Sequence, residues 1–192
     1  MRNLQKQIYS IALFFLFFVI TQKSIAQDTV TIAKPLQSLN KIKLIIPGIF
    51  FEHEHLISPS TTVYGGIGIG AGVAYSYSNW GGSNWAFSMS PTAYLGLRNY
   101  YNLEKRAKKG RQTRNNAANF FGVEIGGSTK AIVEKNTYGN DGGMALDIFW
   151  GIQRSLGRKI NFEMQLGPSL GTDFEEFKLH TVSGKIGFSY IL

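Results

Sequence analysis

The segment Glu52–His55 reads EHEH and carries residue types that could bind a metal ion. One residue separates His53 from His55, a spacing found among metal ligands. In a strand both imidazoles would lie on one face. Glu52 and Glu54 would then lie on the opposite face, so the four side chains could not converge on one ion. The phase of the preceding apolar residues places the histidines outward. We therefore predict neither a metal site nor a cofactor here.

Charged residues of both signs recur at positions where alternating segments of the chain carry their small and polar residues. In an interior of low dielectric such charges must pair, because an unpaired buried charge is costly to desolvate. We predict an ionic network whose members are Lys43, Glu52, Glu54, Arg98, Glu124, Lys130, Asp147, Glu163 and Lys185. Such a network would plug a narrow interior, and a minor small-solute pore is the alternative.

A hydrolase would need a nucleophile and an acid–base pair. His180 lies near Ser183, with Asp173 and Glu175 close by in sequence. Catalytic triads are recognised by geometry, and nothing in the sequence positions these residues as one. We therefore assign no catalytic residue and predict a protein that is not an enzyme, with a rim-active lipid-modifying hydrolase as the alternative.

Positive charge is concentrated in the segment Glu104–Asn116, EKRAKKGRQTRNN. Its basic residues are Lys105, Arg106, Lys108, Lys109, Arg111 and Arg114. Three of the chain's 20 basic residues precede residue 27, so the remaining 17 exceed the 12 acidic residues by five. The segment's six basic residues exceed its single acidic residue, Glu104, by the same five, so the segment accounts for the whole excess. A cation beside an anionic membrane gains roughly 1 kcal/mol. Lipid or lipopolysaccharide phosphate is the expected partner, nucleic acid is not, and a solvated turn is the alternative.

These residues are positioned by segments that alternate with a period of two. In Val63–Ser78, VYGGIGIGAGVAYSYS, the odd positions are apolar or aromatic and the even positions are mostly Gly, Ala and Ser. Such segregation indicates a strand with different surroundings on its two faces. Similar patterns occupy residues 85–101, 121–133, 144–156, 160–170 and 182–192.

Two architectures have this pattern: a soluble β-sandwich, and a transmembrane barrel whose apolar face meets lipid. The alternating segments run to about 11 residues or more, whereas strands of soluble proteins usually have about 5–6. The polar face is rich in Gly and Ser with isolated charges, as suits a crowded interior, and aromatic residues cluster near the segment ends. We predict an all-β fold, an eight-stranded antiparallel transmembrane up-and-down β-barrel.

The count of eight depends on Lys41–Ile57. Its apolar phase changes at Pro47-Gly48, a turn signal, so we interpret it as two short strands. A bulge at Pro47 would instead leave seven strands, or require Thr29–Ala33 as another. Counting back from the C-terminus places the basic segment in the periplasm. A break at Gly126-Gly127 would place it outside the cell.

The N-terminus has the pattern of a secretory signal peptide. Arg2 and Lys6 precede the apolar run Ile8–Ile20, and Ser24 and Ala26 occupy the small positions of a cleavage site. An uncleaved anchor helix is the alternative. We therefore divide the chain into a cleaved signal peptide (1–26), a short periplasmic segment (27–39) and an outer-membrane β-barrel (40–192), exported through the Sec pathway.

The C-terminal segment KIGFSYIL, with Lys185, Gly187, Tyr190 and Leu192, resembles the β-signal of outer-membrane barrels, although a terminal Phe is commoner. The segment LGLRNYYNLEKRAKKGRQTRNNAANFFGVEIG also resembles the middle of small uncharacterised bacterial outer-membrane β-barrel proteins of OmpA/OmpX size. The resemblance spans Asn40–Leu192. It implies an outer-membrane barrel of structural or interaction type, with lipid and the barrel-assembly machinery as partners. The expected assembly state is a monomer.

Overall fold

The fold is described from a computed structural model, which covers residues 35–78, 82–136, 141–173 and 177–192, with the backbone alone at 78 and 177–182. The predicted signal peptide (1–26) lies outside the described residues, as does most of the predicted periplasmic segment (27–39). None of the helices in the described residues is long and apolar enough to cross a membrane.

The described residues form nine strands and two short helices. The strands are β1 (Leu39–Ile45), β2 (Gly48–Ser58), β3 (Thr61–Ser78), β4 (Gly82–Asn99), β5 (Asn119–Ser128), β6 (Val133–Lys135), β7 (Gly143–Ser155), β8 (Ile160–Thr172) and β9 (Phe177–Ile191). Helix α1 (Leu103–Lys108) and a 3-10 turn (Arg114–Asn116) lie between β4 and β5. The all-β class predicted from alternation is confirmed.

The strands form one antiparallel sheet that closes on itself. Pairing runs from β1 through β2, β3, β4, β5, β7, β8 and β9, and β9 pairs again with β1. The start of β1 and the end of β9 lie at one end of this ring, with the β2–β3, β4–β5 and β7–β8 connections. We call this the termini end and the opposite one the far end.

The turn between β1 and β2 falls where the sequence predicts it. Ile45 is the last residue of β1 and Gly48 the first of β2, so Pro47-Gly48 separates two strands. The two strands pair in register, with Ile42 opposite Phe51. The change in apolar phase therefore marks a turn in this structure and not a bulge within one long strand.

The strand predicted over residues 121–133 is interrupted, so the part of the chain that the structure describes has nine strands. Ser128 at the end of β5 lies opposite Thr92, and Val133 at the start of β6 lies opposite Met89. The chain therefore advances five residues from β5 to β6 while β4 advances only three. Two extra residues therefore bulge out. The break faces Pro91, whose carbonyl accepts from the Thr129 N–H. Proline has no N–H to return, so the ladder cannot continue regularly there.

Side chains alternate between the interior and the outer surface as the period of two predicts. Ile67, Leu95 and Phe188 point outward and are 66%, 56% and 43% exposed. Phe162 is half-buried because its ring packs on the Phe188 ring. The buried, inward-facing polar residues on the same strands include Ser90, Glu124, Asp147 and Gln165. The interior is thus rich in polar and charged groups, beside buried rings such as Phe120 and Phe149, and the outer surface is apolar.

The connection between β4 and β5 folds under the termini end. Asn116 exchanges two hydrogen bonds with the backbone of Gln37, and the Asn115 carbonyl accepts from Gln153 and Asn161. Both asparagines have positive φ, 53° and 59°, a conformation that asparagine adopts more readily than most residues. The segment also buries Leu103. It covers the termini end of the interior.

Candidate functional site

Six charged side chains meet in the interior near the termini end. This six-charge cluster consists of Lys41, Lys43, Glu52, Glu54, Arg98 and Glu163. They come from β1, β2, β4 and β8, and each occupies an inward position of its strand. All are almost completely buried. Three positive charges oppose three negative ones, so the cluster is neutral as a whole.

Each carboxylate in the six-charge cluster meets more than one cation. Glu52 lies 2.8 Å from the Lys43 ammonium, and its two oxygens accept from both terminal nitrogens of Arg98 at 3.1 and 3.3 Å. Glu163 lies 2.9 Å from Lys43. Charge-assisted bonds of this kind are the strong class of hydrogen bond. They compensate the desolvation of the six charges.

Hydroxyl groups add hydrogen bonds to two of these carboxylates, Glu52 and Glu54. Tyr100 and Thr62 donate to the same Glu54 oxygen at 2.7 and 2.8 Å. Tyr94 donates to Glu52 at 3.1 Å. These carboxylates are therefore held as ion-paired and hydrogen-bonded acceptors. The arrangement is suited to filling and fixing the interior.

Two tyrosines fit into the interior because glycines face them on the neighbouring strand. Tyr64 on β3 lies opposite Gly96 on β4, and Tyr94 on β4 lies opposite Gly66 on β3. A Cβ added at Gly96 would lie 2.6 Å from the Tyr64 ring, and one at Gly66 would overlap the Tyr94 ring. No side chain fits at such distances. The glycines therefore allow both rings to lie flat across the sheet.

A second group of charges lies nearer the far end. This three-charge cluster consists of Lys185, Glu124 and Asp147. The Lys185 ammonium binds Glu124 and lies 2.7 Å from Asp147. Tyr64 donates to the other oxygen of Glu124 at 2.6 Å. Unlike the six-charge cluster, this one has an excess of one negative charge.

A cavity of about 630 Å³ lies in the half of the interior toward the far end. Phe50 and Tyr94 contribute its aromatic wall, and the three-charge cluster contributes charged groups. Its lining residues extend to Pro47 and Asp173, at the far ends of the strands. The six-charge cluster fills the opposite half.

Eight of the nine residues predicted to form the ionic network lie in these two clusters, and Lys130 does not. Its side chain is 72% exposed and lies 3.6 Å from Asp141, in the bulge that interrupts the predicted strand. The two extra residues before β6 remove Lys130 from the alternation. Lys41 was missed, although its phase relative to Lys43 places it on the same face and was the signal that could have found it.

The EHEH segment divides its side chains between two faces, as its alternation predicts. Glu52 and Glu54 belong to the six-charge cluster, whereas His53 and His55 lie on the exposed face. His53 contacts Asn40 at 2.7 Å, and the two imidazole rings stack at 6.0 Å. The described residues contain no group of three or more metal-ligating side chains that could hold an ion.

Two of the four residues considered for hydrolysis, Ser183 and Asp173, lie toward the far end. Ser183 lies opposite Gly167 and lines the cavity. Asp173 follows β8, where it also lines the cavity. Glu175 and the side chain of His180 lie outside the described residues.

The basic segment divides into exposed and structural cations. Lys105, Lys108, Lys109 and Arg111 are exposed, while Arg106 and Arg114 are half-buried. Arg106 donates to the Ala117 and Gln112 carbonyls and so holds the loop together. Its burial, with the nearby guanidiniums of Arg154 and Arg111, lowers the pKa of Arg106 to about 10. Four cations remain exposed for a partner.

The residues of the predicted assembly signal lie on β9 and just after it. Lys185 and Gly187 face the interior, while Tyr190 and Leu192 are exposed on the outer surface. Tyr190 pairs with Ile42, and the Leu192 N–H donates to the Asn40 carbonyl. The last residues of the chain thus take part in closing the ring.

Comparisons of the chain with protein-family models, curated proteins and solved structures found no match. We therefore infer its function from the geometry of the molecule.

Proposed function

We propose that this chain is an outer-membrane β-barrel protein of structural or interaction type, whose interior is plugged by ionic side chains. The observation that carries the proposal is the inversion of polarity across the closed sheet. Lys41 and Arg98 are fully buried inside, whereas Ile67 and Leu95 are more than half exposed outside. A transmembrane barrel requires this distribution, with apolar residues toward lipid.

The extent of the apolar outer surface favours lipid over water as its surroundings. Its exposed residues occur on β1 to β9, among them Leu44, Phe51, Val73, Trp85, Phe121, Ile148, Leu170 and Ile186. Isolated apolar residues are ordinary on soluble proteins, but a continuous apolar surface marks an interaction with membrane or protein. Because these residues surround the ring, lipid is the partner that could cover all of them together.

The buried charges favour a plugged barrel over a pore. In the termini half, none of the side-chain surface of Arg98, Glu52 or Lys41 is exposed. The β4–β5 connection lies beneath them and buries Asn116 and Ala118. A small solute would have to separate these ion pairs to pass, at a large cost in desolvation. We infer a role in envelope structure or interaction, without catalysis.

Substitution of Ile67 by Arg tests the membrane location. Ile67 lies in the middle of the apolar run on β3, so Ile67→Arg should destabilise the protein in lipid bilayers by about 2–4 kcal/mol. The matched control is Leu156→Arg, in the β7–β8 connection. Leu156 is 62% exposed, close to the 66% of Ile67, but lies at the end of the ring, where the cost falls to about 0–1 kcal/mol. Equal effects in urea titrations would refute the membrane proposal.

We further propose that the exposed cations of the basic segment contact anionic lipid phosphate at the termini end. The four exposed cations all belong to the β4–β5 connection at the termini end: Lys105, Lys108, Lys109 and Arg111. Glu104 neutralises little of this charge, because its contact with Lys108 is 3.8 Å long and solvent-exposed. Exposed ion pairs of this kind contribute little. In the predicted topology the segment faces the periplasmic leaflet.

A further inference from the structure

We propose that the far-end cavity binds a small organic cation that carries an ammonium group and several hydroxyl or amine donors. The inference goes beyond the structural role proposed above and depends on the interior of the ring. The volume of about 630 Å³ falls within the range of about 300–1,000 Å³ that is typical of small-molecule sites. The cavity is bounded on the termini side by the ionic plug.

Two polar side chains in the cavity wall point to a ligand with hydrogen-bond donors. Ser90 and Gln165 line the cavity, and both are only 6% exposed. Ser90 Oγ and Gln165 Oε1 have no hydrogen-bond partner among the described residues. A buried polar atom left without a partner costs about 1–3 kcal/mol. Both oxygens are themselves almost inaccessible from the cavity, so a ligand reaches them only when these side chains turn toward it. The Gln165 oxygen accepts only, so the group that then satisfies it must donate.

The charges around the cavity favour a cation. Lys185 neutralises only one of the two carboxylates that it contacts, Glu124 and Asp147. The other lysine in the wall, Lys43, is already paired with carboxylates of the neutral six-charge cluster. An ammonium group would balance the excess negative charge, whereas a carboxylate or phosphate would increase it.

The walls set the shape of the ligand. Phe50 and Tyr94 form an edge-to-face pair, with ring centroids 5.5 Å apart, and provide an apolar surface. Ser88 and Ser169 lie among the polar wall residues. A site with a few polar groups on an apolar background suits a compact ring that carries hydroxyl groups and one charge. An amino sugar has this combination.

Three sugars of similar size and different charge test the proposal on the folded, detergent-solubilised full-length barrel. Glucosamine is cationic below the pKa of its amine, glucose is neutral and glucuronate is anionic. Calorimetric titration at such a pH should show glucosamine binding at least about tenfold more tightly than glucose, which corresponds to about 1.4 kcal/mol. Glucuronate should bind most weakly. Equal affinities, or no binding by glucosamine at millimolar concentration, would overturn the proposal.

The variant Asp147→Asn removes one carboxylate from the cavity. It should weaken glucosamine binding about tenfold, or about 1.4 kcal/mol, and leave glucose binding unchanged. The matched control is Glu104→Gln, which removes one negative charge from the exposed surface at the termini end and should alter neither affinity. An equal loss in both variants would contradict a role for Asp147. If Asp147→Asn does not fold, the three-sugar series decides the matter with the unaltered protein.

Discussion

The guanidinium of Arg98 lies 3.7 Å from the centroid of the Tyr64 ring. The hydroxyl of the same tyrosine donates to Glu124, in the three-charge cluster. Tyr64 therefore joins the two charged clusters, since one face of its ring meets a cation and its hydroxyl meets an anion. A desolvated cation–π contact can contribute about 2 kcal/mol. The six-charge cluster and the three-charge cluster thus belong to one connected network of interior polar groups.

Removal of Arg98 should destabilise the barrel strongly. Arg98→Met would leave Glu52 without its bidentate partner while that carboxylate remains fully buried. The loss of one partner of a buried ion pair costs about 3–5 kcal/mol. We expect a decrease of this size in the free energy of unfolding, measured by urea titration of the folded protein in detergent.

Arg111→Met is the matched control for this substitution, because Arg111 is exposed in the β4–β5 connection. Surface substitutions usually change stability by less than about 0.5 kcal/mol. A similar effect of both substitutions would show that the buried network does not stabilise the fold.

The close approach of Tyr64 to Gly96 makes a second prediction. Gly96→Ala would place a methyl group 2.6 Å from the tyrosine ring, and overpacking of this kind costs about 1–3 kcal/mol. Gly157→Ala is the control, because nothing lies within 4 Å of an added Cβ there. Thermal unfolding should show a lower midpoint for the first variant alone. Equal midpoints would mean that the ring moves aside without cost.

Removal of Tyr190–Leu192 should prevent the ring from closing. The deletion removes the pairing of Tyr190 with Ile42 and the bond from Leu192 to Asn40, and leaves the first part of β1 as an unpaired edge. We expect loss of the heat-modifiable folded band in unboiled electrophoresis samples. The variant Leu192→Phe should fold normally. A truncated protein present at normal levels in the membrane would contradict both ring closure and the predicted assembly signal.

The two ends of the ring should differ in accessibility to protease on intact cells. Lys108 and Arg111 lie at the termini end, whereas Lys130 and Lys135 lie toward the far end and are also exposed. With the termini end in the periplasm, trypsin should cleave the far-end sites on whole cells and the basic segment only after permeabilisation. Cleavage after Lys108 on intact cells would reverse the proposed topology.

The sequence by itself determined which way most side chains face. A period of two is a local property of an extended backbone, so the outward position of Ile67 and the inward positions of Glu52 and Asp147 follow from their immediate neighbours. The Pro47-Gly48 turn was likewise apparent, because the apolar phase changes there. Lys41 could have been assigned by the same rule, since it shares a phase with Lys43.

The tertiary structure alone decided which inward residues meet. Arg98 and Glu52 are 46 positions apart, and Lys41 reaches Glu163 only because β9 pairs with β1 and brings β8 beside it. Lys130 lies on the surface because of the bulge opposite Pro91. Arg106 donates to a carbonyl within the β4–β5 connection and so stabilises that connection. Alternation specifies a face, but partners depend on register and closure, which are set by strands distant in the chain.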